Sequence, residues 1–158
     1  MPFGRAPMYE TILIPTDGSE GTDPAIGNGL DIARKYDATV HALYVIDVAE
    51  LLEIGYLGGD SADFEETIEP LEDEAKRAVE AIEERARREG VDIVTVVRQG
   101  TPYEEILEYA EDAAADLIVM GTHGRSGLSR YLIGSVTERI VRTSDVPVLV
   151  VQLSKDGE

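Results

Sequence analysis

The sequence predicts an α/β fold, a doubly wound five-stranded parallel sheet, and three observations carry that prediction. Short apolar runs of strand length alternate with segments of helical period along the chain. Each helical segment is long enough to cross from one parallel strand to the next, and right-handed crossovers place helices on both faces of such a sheet. Two strand ends are loaded with Gly, Ser, Thr and Asp, the residue types that bind ligands beyond the carboxyl edge of such sheets.

Thr11 to Ile14 is an apolar run closed by Pro15 and reads as a buried strand. A helix follows, with Asp23 as cap, Pro24 in the first turn, and Ile26, Leu30 and Ala33 on one face. Gly27 and Gly29 weaken it by roughly 1 kcal/mol each relative to alanine. Thr39 to Ile46 is the second strand. Ile68 to Gly90 is the clearest helix, because Ile68, Leu71, Ala75, Val79, Ile82 and Ala86 recur at spacings of three and four before Gly90 stops it. Val91 to Val97 is the third strand. Thr101-Pro102-Tyr103-Glu104 reads as a capping box opening a helix through Ile106, Leu107 and Ala110. Leu117 to Met120 is strand four, Ser135 to Thr143 a helix, and Pro147 to Val151 strand five. One long irregular stretch remains, Asp47 to Thr67. Its Leu51, Leu52, Ile54, Tyr56 and Leu57 predict a lid over a ligand or a partner-binding flap.

The 158 residues suit a single domain, 43% of them are hydrophobic, and no apolar run is long enough to span a membrane. The first residues lack the apolar core of a signal peptide, and there is no cysteine, so a cytoplasmic protein without disulfides is expected. Acidic residues number 32 against 14 basic ones, a formal net charge of −18, and only Lys35, Lys76 and Lys155 are lysines. At about 1 M salt the Debye length is only ~3 Å, so such self-repulsion is tolerated where salt is high. The balance reads as halophilic adaptation, with an acidic mesophilic protein as the alternative. It argues against nucleic acid as a partner.

Strand one ends in Pro15-Thr16-Asp17-Gly18-Ser19. Strand four ends in Gly121-Thr122-His123-Gly124-Arg125-Ser126-Gly127, and the next helix opens with Gly134-Ser135-Val136-Thr137. If these ends lie side by side, the strand order reverses between strands one and four. Gly121, Gly124 and Gly127 let backbone N–H groups approach an anion, and Gly134 and Ser135 sit at a helix start, where free N–H groups favour negative charge. Ser135 and Thr137 can add hydroxyl donors, and Arg125 and His123 are the nearest cations. The alternative is a glycine-rich turn that only joins a strand to a helix. Neither G-x-x-x-x-G-K-[ST], G-x-G-x-x-G nor G-x-S-x-G is present there, and two histidines without cysteine make a protein-built zinc site improbable. Asp17 is also good turn chemistry, and His41 reads as a packed or partly exposed strand residue rather than a ligand.

Gly121-x-x-Gly124, nine residues, then Gly134-Ser135 resembles the ATP-binding signature of the universal stress protein family. Ile12 to Ser19, Val45-Ile46-Asp47 and Pro147 to Val151 resemble that family too, so the likeness covers about Tyr9 to Gln152. The resemblance implies sheet order 3-2-1-4-5, a Rossmann-like fold akin to the adenine nucleotide alpha hydrolases, and ATP with Mg²⁺ or Mn²⁺ as ligands. It implies Pro15, Thr16 and Asp17 near adenosine and the metal-bound phosphates, with Asp17 as metal ligand. Val45 would meet adenine through its backbone, and Met120 and Gly121 would flank the ribose. His123, Gly124, Arg125 and Ser126 would wrap the phosphates, which Gly134, Ser135, Val136 and Thr137 would hold at the helix start. A non-catalytic, ATP-dependent regulator of stress response follows, with hydrolysis slow or absent. The alternative is an enzyme of the nucleotide-alpha-hydrolase group, a slow ATPase or an adenylyl transferase. A phosphoacceptor switch is set aside, because strand three ends in Val97-Arg98-Gln99 without an aspartate. Association is expected as a homodimer through the apolar edge strand Val146 to Val151.

Overall fold

The structure, a computed structural model, describes residues 8–48, 61–122 and 134–152, and of residues 61–65 and 67 the backbone alone. Its elements are β1 (Thr11–Thr16), α1 (Asp23–Tyr36), β2 (Thr39–Asp47), α2 (Ser61–Arg88), β3 (Asp92–Gly100), α3 (Pro102–Asp112), β4 (Leu117–Gly121), α4 (Ser135–Thr143) and β5 (Val148–Val151). The strands are parallel in the order β3-β2-β1-β4-β5, so the expected reversal between β1 and β4 is present.

The alternation of side chains along the strands divides the interior into two layers. Ile12, Ile14, Val40, Ala42 and Val119 pack with Leu30 and Ala33 of α1 and Val79 and Ile82 of α2. Leu13, Leu43, Ile118 and Met120 pack with Ile106 and Tyr109 of α3 and Ile140 of α4. Central β1 is therefore covered on both faces, and Ile12, Leu13 and Ile14 are each 0% exposed. At the amino edge, Asp116 Oδ2 accepts the N–H groups of Glu10 (2.7 Å) and Thr11 (3.0 Å), which fixes where β4 begins beside β1.

Several local expectations change. Asp47 ends β2, and α2 starts at Ser61 rather than Ile68, so only residues 49–60 of the proposed lid or flap are left, outside the described residues. Residues 61–67 carry no apolar period to mark a helix, yet α2 includes them, and Pro70 lies inside it. Its missing N–H deprives the Glu66 carbonyl, but both residues are exposed and water can serve there. Asp23 is the first helical residue rather than the cap, because a 3-10 turn over Glu20–Thr22 runs directly into α1 and makes Thr22 the cap. The capping box at Thr101 does not close, since no side chain caps α3 and Glu104 instead accepts from the Tyr103 hydroxyl at 3.2 Å. The helix stop at Gly90 holds, with φ of +73° there and Val91 N–H bonded to the Ala86 carbonyl at 2.9 Å.

His41 is a half-buried strand residue of β2, within the packed or partly exposed range the sequence predicts. Its Nδ1 lies 2.6 Å from the Tyr109 hydroxyl, tying β2 to α3. The Arg98 guanidinium stands 4.9 Å from the Tyr109 ring centre and pairs with Glu105 at 3.4 Å and Asp112 at 3.7 Å. Burial lowers the His41 pKa, and burial raises that of Tyr109 with Arg98 opposing. Below the ordinary histidine value of about 6.5 the unfolded chain takes up a proton that folded His41 resists, so this residue's share of stability falls as pH drops below that value. The thermal midpoint of the native protein should therefore fall further between pH 7.5 and 5.5 than that of His41→Gln. Parallel curves for the two proteins would show that His41 is not held neutral.

Candidate functional site

The end of β1 is built around two threonines. Thr16 and Thr22 are buried, with their hydroxyl oxygens 3.1 Å apart. Gly18 N–H donates to Thr16 Oγ1 at 3.0 Å, and the Thr22 hydroxyl donates to the Ser19 carbonyl at 2.8 Å. Asp17 Oδ1 accepts the Ser19 N–H at 2.9 Å, closing an Asx turn that Gly18 permits with φ of +80°. Ser19 Oγ is buried and, among the described residues, has no hydrogen-bond partner.

The end of β4 lies directly against this turn. A Cβ on Gly121 would collide with the Gly21 carbonyl oxygen and stand 3.5 Å from Thr22 Cα, so the absence of a side chain at 121 lets the two strand ends meet. Beyond Gly121 the chain is held on both sides. Thr122 N–H donates to the Val151 carbonyl at 3.2 Å, and the Thr122 carbonyl accepts Gly134 N–H at 2.6 Å. The Thr137 hydroxyl donates to the Gly121 carbonyl at 2.9 Å.

These contacts set α4 on the carboxyl edge of the sheet. Its first helical hydrogen bond runs from Glu138 N–H to the Gly134 carbonyl at 2.9 Å, and no side chain caps its start. The N–H groups of Ser135, Val136 and Thr137 thus have no partner within the helix, and Ser135 is exposed. Three amides at a helix start, with the dipole behind them, make a site for an oxyanion.

Of the sequence-predicted residues, Pro15, Thr16, Asp17, Met120, Gly121, Gly134, Ser135, Val136 and Thr137 come together at the ends of β1 and β4 and the start of α4. Val45 stands one residue past Tyr44, which pairs in register with Thr16, so it lies on the same edge. Met120 is buried in the layer beneath α3 and α4, so its side chain contributes packing. Thr137 spends its hydroxyl proton on Gly121, which leaves its N–H for an anion. His123, Gly124, Arg125 and Ser126 lie outside the described residues. Among the described residues no three His, Asp or Glu side chains gather to hold a metal, so Asp17 would need ligands from elsewhere. No described helix is long and apolar enough to cross a membrane.

Sequence reasoning missed Gly21, Thr22 and Thr122. Their signal is faint: Gly21-Thr22 before Asp23-Pro24 reads as an ordinary helix approach, and only the neighbouring strand shows what the glycine admits.

Comparison with known proteins places this site in context. The model of the universal stress protein family matches residues 8–152. Universal stress protein MJ0531 of Methanocaldococcus jannaschii is 41% identical over 148 residues, covering 94% of this chain and 85% of that protein. The structure of MJ0577 from the same organism superposes with a TM-score of 0.83 at 34% identity, covering 94% of this chain and 99% of the other. A universal stress protein solved in complex with cAMP has a TM-score of 0.65 at 26% identity, covering 92% of this chain and 98% of the other.

Proposed function

We propose that this chain, which belongs to the universal stress protein family, binds ATP on the carboxyl edge of its sheet and acts as a nucleotide-dependent regulator of stress response. The observation that carries the reading is the convergence on Gly121 of the Asp17 turn from one side and the uncapped start of α4 from the other. The cAMP complex of a relative supports an adenine nucleotide as the ligand class.

In this reading Ser135, Val136 and Thr137 receive phosphate oxygens through their N–H groups, with Gly134 fixing the helix start. Pro15, Thr16 and Val45 line the nucleoside side. Met120 and Gly121 form the floor at the ribose, and His123 to Ser126, outside the described residues, are the expected further phosphate partners. The protein carries a net charge of −18, so Mg²⁺ or Mn²⁺ bound by Asp17 and the phosphates supplies attraction that side chains do not. Phosphoryl transfer also needs a group that positions the attacking water, and no residue of the sequence is evident in that role, so we read hydrolysis as slow or absent.

The first experiment is to purify the protein in high KCl, denature it and identify the released nucleotide by chromatography. Roughly stoichiometric ATP, or tight binding of added Mg·ATP, is the expected result. Chelating divalent cations should weaken binding strongly in the native protein and little in Asp17→Asn. An empty protein that ignores added Mg·ATP removes the function and leaves the fold. The same preparations address two further readings, a cytoplasmic halophilic protein and a homodimer through Val146 to Val151. A light-scattering mass equal to one chain throughout a KCl series would count against the dimer, and unchanged stability across that series against halophily.

A further inference from the structure

Thr22 belongs to no part of the nucleotide signature, yet the hydrogen bonds around it have one consistent direction. Its hydroxyl has a single proton, and that proton goes to the Ser19 carbonyl at 2.8 Å. In the 3.1 Å pair with Thr16, the donor is therefore Thr16 and the acceptor is Thr22. Thr16 Oγ1 in turn accepts the Gly18 N–H at 3.0 Å. The turn carrying Asp17 is thus held by two buried hydroxyls, Thr16 at the Gly18 N–H and Thr22 at the Ser19 carbonyl, and the Asp17 carboxylate holds the Ser19 N–H from within it. Thr22 is also the point where the turn meets β4, its Cα lying against the position a Gly121 Cβ would take.

Resting on the ATP reading above, we propose that Thr22 is a positioning residue of the nucleotide site, acting through the Asp17–Ser19 turn. Its hydroxyl fixes the main chain on which Asp17 presents its carboxylate to the metal-bound phosphates. Removing it leaves the buried Thr16 hydroxyl without its acceptor and the Ser19 carbonyl with only the Thr22 N–H, 3.1 Å away. Thr16 then has reason to turn toward another acceptor, releasing the Gly18 N–H and loosening the aspartate it aligns. Valine matches threonine in shape, so Thr22→Val removes the hydroxyl while keeping the packing at Gly121.

The test compares native protein, Thr22→Val and Thr22→Ser by calorimetric titration with ATP in high KCl, each with Mg²⁺ and with chelator. Loss of a group that orients a metal ligand typically costs about 10-fold or more in affinity. Mg·ATP should therefore bind about 10-fold more weakly to Thr22→Val, and Thr22→Ser should recover to within about twofold. The gain in affinity on adding Mg²⁺ should shrink in the valine variant alone, which a general loosening of the fold would not produce. If Thr22→Val does not fold, because a methyl replaces the hydroxyl in a polar pocket, Thr22→Ala gives the same comparison. Equal Mg·ATP affinity in native and hydroxyl-free proteins, or equal losses in Val and Ser, overturns this role while leaving ATP binding intact. A native protein that binds no ATP overturns the reading beneath it as well.

Discussion

Gly121→Ala should destabilise the protein by about 1–3 kcal/mol and weaken its ligand site in the same step. The cause is steric rather than conformational. Gly121 is not among the glycines with positive φ, so its backbone suits any residue. A methyl group there would meet the Gly21 carbonyl oxygen head-on, with the Gly21 carbonyl carbon 3.2 Å away. Both partners are main chain, one ending a fully buried strand and the other in a turn fixed by Thr22. No rotamer change relieves the clash, so β4 or the turn must shift. Either movement separates the Asp17 turn from α4, which Thr137 ties to the Gly121 carbonyl. Urea unfolding in high KCl reads the stability, and calorimetry reads the nucleotide affinity. Stability within about 0.5 kcal/mol of the native protein would mean that the two strand ends are not in contact.

The second large effect concerns a pair. Gly29 of α1 stands over Ile14, and a Cβ there would overlap Ile14 Cδ1 and come within 3.1 Å of its Cγ1. Alanine gains about 1 kcal/mol over glycine in a helix, but overpacking costs about 1–3 kcal/mol, so Gly29→Ala should be net destabilising. Ile14→Val removes the overlapping Cδ1 and on its own costs about 0.5–1.5 kcal/mol. In that background Gly29→Ala should cost little or even stabilise, because helix propensity then outweighs a single remaining tight contact. The four proteins form a double-mutant cycle, and a coupling of about 1 kcal/mol is expected. Additive losses would show that α1 has room to ride outward. Gly27 differs in kind: a Cβ there meets the tip of Arg85, 3.1 Å away at Nη2, and a long exposed side chain can swing aside.

How far the sequence could be read differs between these same residues. The run Thr11 to Ile14, apolar without alternation, announces a strand covered on both faces, and the structure places it in the middle of the sheet. The reversal between β1 and β4 was legible because both strand ends carry turn and anion chemistry rather than strand residues. The helix start at Ser61 was not, since Ser-Ala-Asp-Phe-Glu-Glu-Thr has no apolar period to mark it and α2 runs through a proline, a residue that usually stands in a helix's first turn. Gly29 and Gly121 show the same limit. Sequence reveals that a side chain is missing, while only the neighbouring element, Ile14 or Gly21, reveals what occupies the space. Thr22 lies further beyond reach, because a hydroxyl acting on a turn three residues earlier has no pattern to betray it.

The bond from Asp116 to Glu10 joins groups 106 residues apart in sequence, and β1 pairs with β4 across a similar span. By contrast β1, β2 and β3 are laid down as successive neighbours. Closing a long loop costs entropy before any contact repays it, so β1–β3 can assemble early while β4 and β5 dock late. The Asp17 turn belongs to the first group and the start of α4 to the second. Their meeting is thus among the last events of folding, and a molecule gripping both can recognise only the finished sheet. Such a ligand would act as a clasp on the completed protein, slowing its unfolding while leaving the speed of its assembly unchanged.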